Sequence, residues 1–168
     1  MASSVAIHLF DRSDVRWWQK PLVQAGGRHL PAELVIMQLE LRPGEAGAWI
    51  NSRSKTSGVV DLIPDHSGRL KTRRVRFPQF VTDRLLAFYA QAGVAKGAPD
   101  LIIWSETGTH IRFVEVKCPD WDRPSAEQIV FHEAVRTLGS QCDIVEWRFK
   151  SEAAGRLISS HSCQSKSK

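Results

Sequence analysis

Cysteine is scarce in this chain: of 168 residues only Cys118, Cys142 and Cys163 are cysteines, far apart and in no CxxC pairing. That spacing argues against a disulfide framework and a four-cysteine zinc site, and it fits a reducing compartment, the cytoplasm. The histidines form no HxxxH or HExxH pair, so structural zinc on paired imidazoles is not expected. Long apolar runs are missing too. Nothing approaches the roughly 18 consecutive apolar residues of a membrane-crossing helix. The short apolar run at the amino terminus is broken by His8, Asp11 and Arg12, too early for a secretory leader. The expectation is a soluble protein with no membrane partner.

What the chain does have is positive charge. Lys and Arg number 23 against 18 Asp and Glu, a net +5, with a pI near 9.4. A positive field concentrates phosphates around it, although a basic surface alone does not distinguish a phosphate binder from an ordinary basic protein. Hydrophobic residues at 42% and charged residues at 24% are the proportions of a chain that folds. The length suits one domain.

Residues 1–30, with Trp17, Trp18, Leu22 and Val23 among charges, are expected to form an irregular or short helical packing arm. Adjacent tryptophans in such an arm favour packing over base stacking. The main domain is expected over 31–150. It opens with Pro31 at the start of a helix over 31–41, although Val35 and Ile36 keep a strand open. Residues 42–77, rich in Gly, Ser, Pro and basic residues around one apolar patch at Val59 to Ile63, suggest a loop-bearing basic insertion. Its end places Arg69, Lys71, Arg73, Arg74 and Arg76 within eight residues. These side chains, with Lys96 further on, are the candidate DNA-binding residues, and a solvated basic loop is the alternative.

Pro78 begins an amphipathic helix in which Phe80, Val81, Leu85, Phe88 and Tyr89 recur at three-to-four spacing, and Gly93 ends it. Residues 100–104 and 110–117 form two strands around the turn sequence SETGT. Ser125 caps the next helix, with Gln128 placed for a capping box and Gly139 beyond its end. Asp143 to Phe149 alternates as a last strand. The fold class is therefore α/β, a small mixed sheet flanked by helices. Residues 151–168 drift to Ser and Lys and suggest a flexible tail.

The chemistry lies at two strand ends. Pro99-Asp100 opens one strand and Glu115-Val116-Lys117 closes the other. Side-chain alternation puts Glu115 and Lys117 on one face with Ile111 and Phe113. A hairpin can lay Asp100 beside them, so that two carboxylates converge where a hard divalent cation, Mg²⁺ or Mn²⁺, binds through oxygen. Such an ion polarises a phosphodiester and helps generate hydroxide, and Lys117 can hold the attacking water or stabilise the phosphorane. An exposed Glu115–Lys117 ion pair of little energetic weight is the bland alternative.

The segment 97–147 resembles the VRR-NUC family of PD-(D/E)xK nucleases. The resemblance is carried by Gly97-x-Pro99-Asp100-Leu101, an apolar strand to Trp104, Val114-Glu115-Val116-Lys117 with Pro119, Asp122-Arg123, Ser125, Gln128 and Gly139. It implies a restriction-endonuclease-like core and metal-dependent DNA cleavage, with Asp100, Glu115, Val116 and an upstream acid at the metal, Lys117 as catalytic lysine and Gln128 near the centre. For the upstream acid the candidates are Glu33, Glu40 and Glu45, with Glu33 favoured from its early-helix position. The stretch 104–123 is most similar to the Fanconi-associated nuclease branch, which implies action on branched or flapped DNA. Similarity to VRR-NUC antibacterial effectors implies a second setting: a type VI secretion toxin delivered into a target cell without a conventional signal peptide, with a cognate immunity protein as partner. A catalytically silent DNA-binding module is the alternative from another class. Cys118 stands where the family usually has Gly. His132 is expected at the surface, and Asp120 and Asp122 as turn residues.

Overall fold

The computed structural model describes residues 6–17, 20–50, 54–119 and 122–151. Leu101-Ile-Ile-Trp-Ser is the least ambiguous segment of the chain: five residues buried throughout can only be a strand covered on both faces. It is β7 of a chain whose elements run β1 (Ala6–Trp17), β2 (Lys20–Ala25), β3 (Arg28–Leu30), α1 (Ala32–Glu40), β4 (Glu45–Ile50), β5 (Ser57–Pro64), β6 (Leu70–Arg76), α2 (Gln79–Ala92), β7 (Leu101–Ser105), β8 (Ile111–Lys117), α3 (Ala126–Thr137) and β9 (Gln141–Phe149). The described strands make one sheet of nine in the order β3-β2-β1-β9-β8-β7-β4-β5-β6. β9 runs parallel to both β1 and β8, and the other pairings are antiparallel.

Alternation divides the core into two. On one face Leu101, Ile103, Val114, Val116 and Val145 pack against α1, of which Leu34, Val35, Ile36 and Met37 are buried. On the other, Ile102, Trp104 and Phe113 meet Leu85 and Phe88 of α2 and Phe131 and Val135 of α3. Phe88, Tyr89, Phe113 and Phe131 lock this layer through edge-on ring contacts with centroids 4.9 to 5.9 Å apart. The two ends of the sheet curl together around α1. Trp17 Nε1 donates to the Leu70 carbonyl of β6 at 3.2 Å, and Arg28 of β3 pairs with Asp61 of β5 at 2.6 Å.

The α/β class and the order of elements from Pro78 to Phe149 are those expected from the sequence, down to the reciprocal Ser125–Gln128 capping box. Three expectations differ. The sheet is large rather than small. The described part of 1–30 consists of strands, not an irregular or short helical arm, although Trp17, Leu22 and Val23 do pack into the core. Residues 42–77 hold three strands instead of loops, and β4 lies inside the sheet between β7 and β5. The reason is common to all three. Glu45-Ala-Gly-Ala-Trp-Ile has little intrinsic strand preference, and its extended form comes from the ladders on either side. Trp18, Asp120 and the tail from residue 152 lie outside the described residues.

Candidate active site

Asp100 ends a loop that glycine makes possible. Gly97 has φ +102°, and a Cβ there would lie 2.6 Å from the carbonyl carbon and oxygen of Glu127, so the loop is pressed against the first turn of α3. The Asp100 carbonyl accepts from the Ile50 N–H of β4 at 2.7 Å, and its Oδ2 accepts from the Val116 N–H of β8 at 3.1 Å. One strand neighbour thus sets its main chain and the other its carboxylate.

Glu115, on β8, is 1% exposed. Its Oε1 accepts from Gln128 Nε2 of α3 at 2.6 Å and pairs with Lys117 Nζ at 2.5 Å. Its Oε2 is buried without a hydrogen-bond partner, with His132 Nε2 at 3.7 Å. Glu33, in the first turn of α1, is 6% exposed. Its Oε1 is held by Lys20 of β2, while its Oε2 is also buried and unpartnered.

The electrostatics tie these acids into one cluster. Enclosure by protein, then the negative charges of Glu33 and Glu115, hold the Asp100 carboxyl well above the usual carboxylate range, with the Lys20 ammonium opposing. For Glu115 burial works in the same direction, but the nearby His132 ring and the paired Lys117 ammonium overcome it and its carboxyl lies below the ordinary value. Burial alone would lower Lys117, yet the hydrogen bond and charge of Glu115, then the charges of Asp100 and Asp122, raise it.

Two cavities open onto this cluster. One, of about 440 Å³, is lined by Trp49, Tyr89, Lys96, Asp100 and Gln128 among others. The second, of about 400 Å³, is lined by Glu115, Lys117, Gln128, His132 and Cys142 among others. Gln128 stands on the wall of both.

The structure therefore brings together Glu33, Asp100, Glu115, Lys117 and Gln128, and places the Val116 amide on Asp100. A valine could join a metal site only through its carbonyl oxygen. Glu40 and Glu45 lie elsewhere: both pair with the buried Arg112, Glu40 at 3.5 Å and Glu45 at 2.9 Å. Asp122 is a turn residue, its Oδ2 accepting from the Cys118 N–H at 2.8 Å. His132, expected at the surface, lines the second cavity instead. Its position on α3 follows from the sequence: four residues beyond Gln128, it shares a helix face with it. Lys20 was missed outright, because nothing local marks a residue that reaches the site through β2.

The basic candidates are more dispersed. Arg69 is exposed in the β5–β6 turn, and Arg76 is exposed on β6. Lys71 pairs with Asp65 at 3.0 Å and Arg73 with Asp61 at 3.7 Å. Arg74 donates to the Ser57 hydroxyl at 3.0 Å. Alternation sends Lys71 and Arg73 to one face of the edge strand and Arg74 and Arg76 to the other. β6 is also three ladder steps from β7, roughly 14 Å at about 4.8 Å per step. Lys96 lies on the wall of the Asp100 cavity, paired with Glu127 at 3.2 Å.

Among the described residues no group of three or more His, Cys, Asp or Glu side chains is placed to hold a metal ion as it stands. The donor set nevertheless fits a divalent cation. All its atoms are hard oxygens, Glu33 and Glu115 raise the proton affinity of Asp100, and two buried carboxylate oxygens lack any protein donor.

The family model described as the VRR-NUC domain matches residues 41–148. No curated protein sequence gives a significant match. Among solved structures, the crystal structure of paFAN1 bound to a 5′-flap DNA with a gap is similar at 26% identity and a TM-score of 0.34. That alignment covers 40% of this chain and only 13% of the other.

Proposed function

The chain belongs to the VRR-NUC domain family, and on that premise we propose that it is a divalent-metal-dependent DNA nuclease whose centre is Glu33, Asp100, Glu115 and Lys117. The observation that supports this most is the pairing of β7 with β8, which sets Asp100 beside Glu115 and the Lys117 ammonium, with Glu33 near enough for its charge to act on Asp100 and buried unpartnered oxygens on Glu33 and Glu115. A Mg²⁺ or Mn²⁺ ion held by Glu33, Asp100 and Glu115, with the Val116 carbonyl as a further ligand, would supply Lewis acidity and help deprotonate water. Lys117 orients the attacking water or a phosphoryl oxygen as a compact cation. Gln128 fixes the Glu115 carboxylate, and the Val116 N–H fixes that of Asp100.

DNA approaches over the Asp100 cavity, with Lys96 nearest the scissile phosphate. Arg69, Lys71, Arg73, Arg74 and Arg76 engage backbone farther out, towards the sheet edge. The resemblance of residues 97–147 to the Fanconi-associated branch supports selectivity for branched or flapped DNA.

The test is cleavage of forks, flaps, junctions and plain duplex with Mg²⁺ or Mn²⁺, beside EDTA and Asp100→Ala controls. Metal-dependent cutting lost in Asp100→Ala is expected. Binding without any cutting would overturn the proposal in favour of a silent DNA-binding module. Toxicity on expression, relieved by Lys117→Ala, would extend the nuclease reading to an effector with a cognate immunity protein.

A further inference from the structure

Lys20 lies outside the residues matched by the VRR-NUC family model, on a strand that precedes them. Its ammonium nevertheless reaches the acid cluster. It pairs with Glu33 Oε1, sits 4.6 Å from the centroid of the Trp49 ring, and is close enough to Asp100 for its charge to act there. Trp49 and Asp100 line the same cavity, so Lys20 packs against one of its lining residues.

We propose that Lys20 is a second active-site ammonium, one that holds Glu33 in the metal-free protein and passes to a DNA phosphate when a divalent cation takes Glu33. This rests on the nuclease reading above.

The two partners of the pair are unequal in freedom. The Lys20 side chain is 36% exposed and that of Glu33 is 8% exposed. Glu33 belongs to a helix buried between the curled ends of the sheet, whereas Lys20 carries its charge on a flexible four-carbon stem. When they part, Lys20 is the one that moves. Glu33 left alone would be an unpaired buried carboxylate, so Lys20 leaves only as another cation arrives.

Charge balance then selects the destination. In the metal-bound state the carboxylates of Glu33, Asp100 and Glu115 count three negative charges against two positive ones from Lys20 and Lys117. A divalent ion overshoots by one unit, and a single phosphodiester restores neutrality. The Lys20 ammonium already lies over the ring of Trp49, a residue that lines the cavity holding Asp100. An ion pair that only stabilised the β2–α1 contact would leave cleavage per folded, metal-bound molecule unchanged.

Mn²⁺ binding to the DNA-free full chain, read from the loss of the free-ion EPR signal, and steady-state flap cleavage separate these roles. In Lys20→Met, which keeps the stem over Trp49, Mn²⁺ affinity should rise about tenfold as a competing cation is removed. kcat/KM for cleavage should fall about 100-fold as a phosphate-binding cation is lost. Lys20→Arg should cut within a few-fold of wild type. Lys20→Gln repeats the first test should the methionine variant fail to fold. Unchanged or weaker Mn²⁺ binding in the neutral variants, or wild-type cleavage by them, would overturn the proposal. Failure of the nuclease reading would show separately, as wild-type protein that binds Mn²⁺ and cuts no DNA, while the titration still reads the competition at Glu33.

Discussion

Replacing Gly97 by alanine should injure catalysis more than stability. The added methyl would sit 2.6 Å from the Glu127 carbonyl carbon and oxygen and 2.9 Å from the Gln128 nitrogen, all backbone atoms that cannot rotate away. Carbon contacts of about 3.5 to 4.0 Å are comfortable, so the loop and α3 must separate by roughly 1 Å. The φ of +102° adds strain of about 1–3 kcal/mol for any residue with a Cβ. The loop carries Asp100, and the displaced turn carries Gln128, which holds Glu115. A misplacement of about 1 Å at such groups costs on the order of 100-fold in rate. Gly93 provides the control. It too has positive φ, at 65°, but nothing lies within 4 Å of its absent Cβ. Urea denaturation should show Gly93→Ala losing about 1 kcal/mol, with cleavage per folded molecule unchanged. Gly97→Ala should lose about 2–4 kcal/mol, together with the rate. If the two variants cut DNA equally well, the loop–helix contact does not position the acids.

Gln128→Ala removes the 2.6 Å bond to Glu115 along with half of the capping box. Metal affinity should weaken about 10- to 100-fold, which isothermal titration would detect, and helix stability should fall by about 1 kcal/mol. Glu45 is depressed from 4.5 to about 2 by the Arg112 hydrogen bond, against burial and with help from His110. A lowered folded-state value means stabilisation that is complete above pH 4.5 and lost as pH falls towards 2. Thermal melts should therefore show wild type losing its advantage over Glu45→Gln within that window, and a constant difference would contradict the pairing. The double variant Arg74→Ala/Arg76→Ala should lower DNA affinity and reduce the slope of log K against log salt by about 2. An unchanged slope would remove β6 from the interface.

Local signals carried the second half of the chain. Pro78, Gly93, Ser125 with Gln128, and the unbroken apolar run after Asp100 each act within a few residues, and each element they imply is present. Asp100, Glu115 and Lys117 were legible for the same reason, since two strand ends joined by a turn must lie side by side. β1 and β4 were not legible, because their partners, β9 and β7, lie far away in sequence and supply the ladder hydrogen bonds that local propensity does not.

What the sequence determined by itself was the hairpin and its charges: alternation alone sets Glu115 and Lys117 on one face, wherever that hairpin is placed. What only the tertiary structure decided was which other groups come to it. Glu33 arrives because the sheet curls around α1, Lys20 because β2 runs past that helix, and His132 because α3 packs over β8. Those approaches are set by long-range packing of two apolar layers, and no spacing along the chain records them.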